Sequence, residues 1–391
     1  MNSLSIDARS SNNKLIMLAR LPMKLVNFIS VFAICLLMAS GTVYSAIDLA
    51  DDPLFLKTGA GANVLLNMSV ETPMGGAAYN DAAGTVAGCT GRRGDGRGIC
   101  YFANLDYIGY FDPKKCYNYS SNTFVPTGAA SSDHTCDDGQ TGRWSGNFLN
   151  WAGMTAIDIY MLTMTGGRRV EDTTSRTVVE RSLGSNFFHN KVLDPANNVS
   201  PSTVTPYTGT WAHINKRTDS AFDFETSSGT TTYQLKVEVC NSTVGLEENC
   251  VARTDGTNNY YKPEGLIQNN VNKMRFGVMA YTTDNTHRQG GVLRSNMKSV
   301  GPELGTGEAN PLKEYNEDGL FITNPESASS GNSGVINYVN KFAVEAGRYK
   351  GYDPVSELFY EAVRYFKHIG PTPETYSGLS TSNDGGFPIL T

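Results

Sequence analysis

Three familiar enzyme signatures are missing from this 391-residue chain. There is no H-E-x-x-H helix, no G-x-S-x-G elbow and no Walker lysine loop. The usual sequence marks of zinc hydrolysis, serine hydrolysis and nucleotide cleavage are therefore absent, and a non-enzymatic protein is expected. Histidine is scarce: His134, His189, His213, His287 and His368 are scattered through loops or helix ends. No C-x-x-C occurs and no histidine is suitably spaced, so no zinc site is expected. Charged residues make up only 18 %, and the formal charge of −6 leaves no basic excess. That disfavours nucleic acid and anionic lipid as partners. No internal repeat is detectable.

Long apolar runs are equally scarce. The main one follows Lys14, Arg20 and Lys24: Leu25-Val26 and Phe28 to Met38, broken by Asn27 and Ser30. It precedes Val43-Tyr44-Ser45, giving the basic, apolar and cleavage order of a secretory signal. A membrane anchor is the alternative, but the run falls short of the roughly 20 residues that span a bilayer. Residues 1–45 are therefore read as a signal peptide with an N-terminal extension, cleaved near Ser45, with Met23 as a second candidate start. Cleavage removes four Lys/Arg and one Asp, moving the formal charge from −6 to about −9. No other run approaches bilayer length, so the mature chain is expected to carry no integral membrane span. Of seven cysteines, Cys35 leaves with the signal. Six remain, and an even set in an exported chain reads first as disulfides. Cys240 and Cys250 are expected to pair; Cys89, Cys100, Cys116 and Cys136 allow three pairings.

Asn63 to Met68 is a nearly continuous apolar run, expected to be a strand buried on both faces. Residues 84–143 hold four cysteines and much Gly and Asp, and read as a disulfide-stapled insertion with little regular structure. From Trp144 to Thr165 apolar residues recur at helical spacing, ended by Gly166-Gly167. A short helix is expected over Thr177 to Leu183. A second insertion, 184–262, contains an alternating strand, Tyr233 to Val239. Helices are expected over Pro263 to Lys273, at Val335 to Ala346, and from Pro354 to Lys367 with Val355, Leu358, Phe359, Ala362, Val363 and Phe366 inward. Arg275 to Tyr281 reads as another buried strand, and Leu320 to Thr323 as a short one. Strands alternating with helices imply an α/β fold, a Rossmann-type, mostly parallel sheet with helices on both faces, interrupted by the disulfide-containing loop and small β insertions.

Such sheets place ligands at the carboxyl ends of their strands. There the first strand runs into Asn67-Met68-Ser69-Val70-Glu71. Alternating oxygen-bearing residues on a sharp turn are what a hard cation needs. The arrangement resembles von Willebrand factor A domains, which carry Asp-x-Ser-x-Ser at this place; only the middle residue matches. Their second motif, a Thr-Pro opening a late helix, corresponds to Asp353-Pro354 here. Asp353 also suits a helix N-cap with proline at the first helical position. The resemblance implies a degenerate Mg²⁺ or Ca²⁺ site at Asn67, Ser69, Glu71 and Asp353. Arg93-Gly94-Asp95 is an integrin-type tripeptide in a Gly-rich turn. Glu71 with Asp81, and Asp137 with Asp138, read as solvated carboxylates rather than acid/base pairs.

The order of longer blocks is informative. Tyr110-Phe111-Asp112-Pro113-Lys114-Lys115-Cys116-Tyr117 precedes Trp144-Ser145-Gly146-Asn147-Phe148-Leu149-Asn150-Trp151, then Arg275-Phe276-Gly277-Val278-Met279 and Tyr349-Lys350-Gly351-Tyr352-Asp353-Pro354. From about Asp51 to Thr391 the chain resembles the N-terminal region of the PilY/PilC-type proteins of type IV pili. The resemblance implies a von Willebrand A-like domain at 46–391, incomplete here, with the C-terminal β-propeller of the family absent. It also implies a pilus assembly or adhesion role in the periplasm, on the outer surface or at the pilus tip, with minor pilins and host or surface ligands as partners. The alternatives are a stand-alone secreted ligand-binding module and a secreted hydrolase.

Overall fold

The computed structural model describes residues 61–80, 99–136, 142–193, 199–285, 288, 290–377, 379 and 383–391. The signal peptide, Met23, Cys35, Cys89, Asp81, Arg93-Gly94-Asp95, Asp137-Asp138 and His287 lie outside the described residues.

Seventeen strands follow one another among the described residues. The first six are β1 (Ala62–Met68), β2 (Lys115–Ser120), β3 (Thr123–Ala129), β4 (Trp144–Ser145), β5 (Arg169–Asp172) and β6 (Thr177–Glu180). Then come β7 (Lys191–Leu193), β8 (Ala212–Asn215), β9 (Ala221–Thr226), β10 (Gly229–Gln234) and β11 (Lys236–Val239). The last six are β12 (Cys250–Thr254), β13 (Asn259–Pro263), β14 (Met274–Ala280), β15 (Val292–Lys298), β16 (Asn383–Asp384) and β17 (Phe387–Pro388). Helices longer than two turns are α1 (Gly146–Gly153), α2 (Ala156–Thr165), α3 (Val335–Ala346) and α4 (Val355–Phe366).

The strands form separate sheets: β1-β14-β15, β10-β9-β8-β7 and β4-β2-β3-β11-β6-β5, with hairpins β12-β13 and β16-β17. This corrects the expected Rossmann-type, von Willebrand A-like parallel sheet. Among the described pairings only β1 with β14, a single contact between β3 and β11, and an isolated bridge between Glu71 and Lys350 run parallel. The reason is local. A parallel pair needs a crossover of a dozen or more residues, whereas a two-residue turn enforces antiparallel pairing. Ser121 and Asn122 both take positive φ, at 50° and 58°, and close the β2–β3 hairpin as a primed turn does. Asp255 accepts from the Thr257 and Asn258 amides at 2.8 and 2.7 Å, turning β12 into β13. Such turns hide in Ser/Thr/Asn-rich stretches that show no hydrophobic period.

Other expectations change for similar reasons. Thr177 to Leu183 holds strand β6, Thr177–Glu180, and no helix, because its Thr-Val-Val core is β-branched. The helix expected over 263–273 shrinks to one turn, Leu266–Asn269, after β13 ends at Pro263. Residues 115–129 are paired strands rather than irregular loop. The run from Trp144 to Thr165 is two helices. Thr155 restarts the chain with a capping box to Asp158, and Gly166 at φ 82° ends it. The alternation from Tyr233 to Val239 holds. The chain changes sheets at Leu235, so one alternating run supplies β10 to one sheet and β11 to another.

Two cores fill the structure. One is aromatic: Trp144 packs against Tyr233 and Phe224 with ring centroids 4.8 and 5.2 Å apart, beside Phe148, Trp151 and Tyr101. The other gathers Met68, Val70, Phe276 and Val278 with α3 residues Val339 and Phe342. Helix α2 lies between them, with Ile157 and Met161 in the second core and Ile159 and Leu162 against the first. Disulfides Cys116–Cys136 and Cys240–Cys250 close loops around the aromatic half, and Cys100 is disulfide-bonded as well.

The Trp-Ser-Gly-Asn-Phe-Leu-Asn-Trp block builds that half. Ser145 caps α1. A Cβ on Gly146 would lie 2.1 Å from the Asp112 carbonyl oxygen. Asn147 and Asn150 project one turn apart into the 105–111 segment. The Asn147 oxygen accepts from the Tyr107 amide at 2.7 Å, and its amide donates to the Leu105 carbonyl at 2.7 Å. Asn150 accepts from the Phe111 amide at 3.1 Å and donates to the Tyr107 and Phe111 carbonyls, both at 2.7 Å.

Helix α4 buries Leu358 and Ala362, but not the whole expected stripe: Val355, Phe359 and Phe366 are exposed. Leu358→Ala is therefore expected to cost about 2–5 kcal/mol, and Phe359→Ser less than about 0.5 kcal/mol. Denaturant midpoints of the two variants check the orientation; equal losses would contradict it.

Candidate functional site

Parallel strands β1 and β14 end side by side, and three segments meet beyond them. β1 runs into Ser69-Val70-Glu71, β14 into Tyr281-Thr282-Thr283-Asp284, and Tyr349 to Asp353 links α3 to α4. Backbone bonds knit them: the Lys350 amide donates to the Val70 carbonyl at 2.9 Å, and the Thr72 amide to the Lys350 carbonyl at 3.0 Å. The Asn285 side chain accepts from the Gly351 amide at 2.7 Å. Val70 is fully buried beneath the junction.

Tyr281 is the centre of the crest. Its hydroxyl donates to Asp353 Oδ1 at 2.9 Å, while the Ser69 hydroxyl donates to the Glu71 carboxylate. Burial pushes the Tyr281 phenol well above its ordinary value, reinforced by its hydrogen bond to Asp353 and by the charges of Asp353 and Glu71. The fold thus gathers Ser69, Glu71 and Asp353 around one phenol, with Asn67 exposed near the end of β1. Asp353 does not cap α4: Pro354 holds that position, with no side-chain cap. All donors are oxygens and two are carboxylates, the chemistry a hard divalent cation accepts.

Lys350 lies beneath the same crest, fully buried. Its ammonium donates to Thr282 Oγ1 at 3.1 Å and the Asp284 carbonyl at 2.9 Å. Burial lowers its pKa to about 8, against the opposing pull of Asp384 and Asp284. Between pH 8 and its ordinary value of 10.5 the unfolded chain binds this proton and the folded chain does not. Stability contributed by this group must therefore rise with pH through that window. Comparing wild type with Lys350→Met by urea unfolding isolates the effect. Wild type is expected to gain about 3 kcal/mol relative to the variant between pH 7.5 and 10.5. A pH-independent difference would contradict it.

The sequence motifs missed Tyr281 and Lys350 as site members. Their signals were present: Tyr281 closes the apolar run and directly follows β14, and Lys350 sits three residues before the Asp353-Pro354 step. Elsewhere, Cys240, Glu247 and Cys250 converge. The two cysteines are joined to each other, and Glu247 accepts from Lys115 Nζ at 2.7 Å, so this trio is a staple rather than a metal centre. His134 is buried between the Ala103 carbonyl, at 2.6 Å, and Asp106, at 2.9 Å.

Comparison with known proteins bears on this arrangement. Residues 99–252, which hold the aromatic core and the asparagine clamp, match the family model described as PilY1 homolog, small alpha/beta domain. A type IV pilus biogenesis factor PilY1 homolog of Xylella fastidiosa (strain Temecula1) is 31% identical, aligned over 93% of this chain and 33% of its own length. The chain belongs to the PilY1-type family. A second PilY1 homolog of the same organism is 25% identical over 78% of this chain and 24% of its own length. This PilY1-type chain therefore spans about a third or less of the curated relatives it matches. No solved structure matches it. The most distinctive block of the sequence, Trp144 to Trp151, falls inside the matched domain.

Proposed function

We propose that this chain is a non-enzymatic, exported portion of a type IV pilus-associated factor, acting in pilus assembly or adhesion with minor pilins and surface ligands as partners. The alignment of 93% of the chain with a protein named as a type IV pilus biogenesis factor carries this reading. Two described disulfides suit an oxidising compartment outside the cytoplasm. Among the described residues no helix is long and apolar enough to cross a membrane. A strain lacking the gene is expected to lose surface pili and twitching, restored by the wild-type gene. Normal piliation and twitching in the deletion strain would sink the proposal.

On the same reading the crest recognises ligands with a cation's help. Ser69, Glu71 and Asp353, with Asn67 at the margin, would hold Mg²⁺ or Ca²⁺, which supplies an open position for a partner's oxygen. Calorimetric titration with millimolar Ca²⁺ and Mg²⁺ is expected to give saturable heat in wild type and none in Glu71→Gln/Asp353→Asn. At a hundredfold excess over its dissociation constant the ion should raise stability by about 2.7 kcal/mol. No heat in wild type removes the cation from the mechanism.

A further inference from the structure

At the border of the family-matched region, away from the crest, a cleft of about 580 Å³ opens between the 106–114 segment, the 246–249 loop and residues 263–269. Its floor is apolar, with Tyr110 and Val179 buried and Leu162 half-buried. Its rim is apolar too. Ile108 is 60%, Leu266 50% and Leu246 38% exposed, although each borders the cleft. Large side chains left in water around a concave apolar floor mark a place where something docks.

Three further observations say what. First, Asn249 lines the cleft, and its amide nitrogen is buried without a hydrogen-bond partner. A buried donor left unmatched costs about 1–3 kcal/mol, a cost relieved if the Asn249 side chain turns outward onto an incoming carbonyl. Second, acidic side chains are interspersed with the apolar ones on the rim. Asp112, Glu247 and Glu264 are engaged by Lys115 and Arg253. Glu248 and Asp106 lie at the surface, Asp106 beside the largely buried His134, and among the described residues lining the cleft the one exposed lysine is Lys114. Third, both walls are fixed in advance. The asparagine clamp holds 105–111 from behind, and the Cys240–Cys250 disulfide spans the base of the 246–249 loop. A wall that needs no ordering on binding loses less affinity to conformational entropy.

We infer that this cleft binds an extended peptide segment of a partner protein, with an apolar side chain entering between Ile108, Leu246 and Leu266. The adjacent backbone carbonyl of that segment accepts from Asn249, and a flanking Lys or Arg faces Glu248 and Asp106. The apolar floor supplies affinity, while the acidic rim selects the basic flank. The inference concerns the chemistry of the cleft and does not depend on the pilus assignment.

The test uses the purified chain and two fluorescein-labelled peptides. One has a Leu-Phe-Val centre between lysines, the other the same centre between glutamates. The lysine peptide is expected to bind saturably and about tenfold or more tighter than the glutamate peptide. Leu266→Glu and Leu246→Glu, both exposed rim changes, should each weaken it about tenfold without altering circular dichroism or the melting temperature. Glu248→Lys should erase the charge preference. Absence of saturable binding by the lysine peptide, or unchanged binding by Leu266→Glu, overturns the inference. So does equal affinity for the two peptides. A chain that ignores both peptides yet takes up a medium-chain fatty acid, with uptake lost in Leu266→Glu, would overturn the inference and reassign the cleft to a lipid.

Discussion

Replacing Asn150 with leucine is expected to cost at least about 3 kcal/mol of stability. The two side chains share their heavy-atom count and branching, but leucine's methyls cannot approach backbone atoms as closely as the amide does, so crowding adds to the loss. What disappears is the clamp: the Phe111 amide loses its acceptor, and the Tyr107 and Phe111 carbonyls lose their donor. Each buried backbone group left unpaired costs about 1–3 kcal/mol, and Asn150 is wholly buried. Against a usual total of about 5–15 kcal/mol, that brings the variant near the edge of folding at 37 °C. Asn150→Asp should be at least as severe, because a carboxylate would face two carbonyl oxygens. Urea unfolding monitored at the tryptophans of the aromatic core reads the loss directly. A change below 1 kcal/mol for the leucine variant would show that the 105–111 segment holds its shape without the clamp. The neighbouring Asn147 serves the same segment, so the pair should be non-additive in a double-mutant cycle.

How this clamp escaped the sequence is instructive. Asn147 and Asn150 find their partners about 40 residues away, and nothing in local periodicity encodes that pairing. The same limit explains the fold error. Helices α3 and α4 and strands β1 and β14 were legible, because each carries its own period or unbroken apolar run, although β1 is buried only at Ala62 and Met68 rather than on both faces. Whether strands pair in parallel depends on the connections between them. Here those connections include turns such as Ser121-Asn122, too short for a crossover. β6 was misread because Thr-Val-Val-Glu is too brief to show either period. The crest was partly legible: Ser69 and Glu71 do come together with Asp353, which follows them by more than 280 residues in the chain. Tyr281 and Lys350 stayed hidden because each ends or follows an element as an apparently ordinary packing residue. Their roles come from burial beside charge, which a linear pattern does not display.

Asp158→Ala is the second large loss to expect, about 3–5 kcal/mol. Asp158 is the third residue of α2, the helix between the two cores. One carboxylate oxygen accepts from the Thr155 amide at 2.9 Å and its hydroxyl at 2.6 Å, and the other from the Ser182 amide at 2.7 Å. Its charge also offsets Arg181, which is fully buried, lies over the Phe188 ring at 4.7 Å and donates to the Ala221 carbonyl at 3.1 Å. Alanine would strand the guanidinium and unpair two amides. If the stranded charge dominates, Asp158→Ala/Arg181→Met should recover part of the loss, with a coupling above about 1 kcal/mol. The sign with pH is a further check. Burial raises the Asp158 pKa above its usual 3.8, although Thr155, Ser182 and Arg181 oppose the shift. The folded state then holds this proton at a pH where the unfolded chain has released it. Wild type should gain on Asp158→Ala as the pH falls from neutrality towards 3.8. A gap that narrows with acid would mean that the hydrogen bonds and Arg181, not burial, set the carboxyl group's pKa. Because α2 packs on both cores, the loss should also separate them. Near-ultraviolet dichroism of the tryptophan-rich half and overall calorimetric melting are expected to part company in the variant while coinciding in wild type.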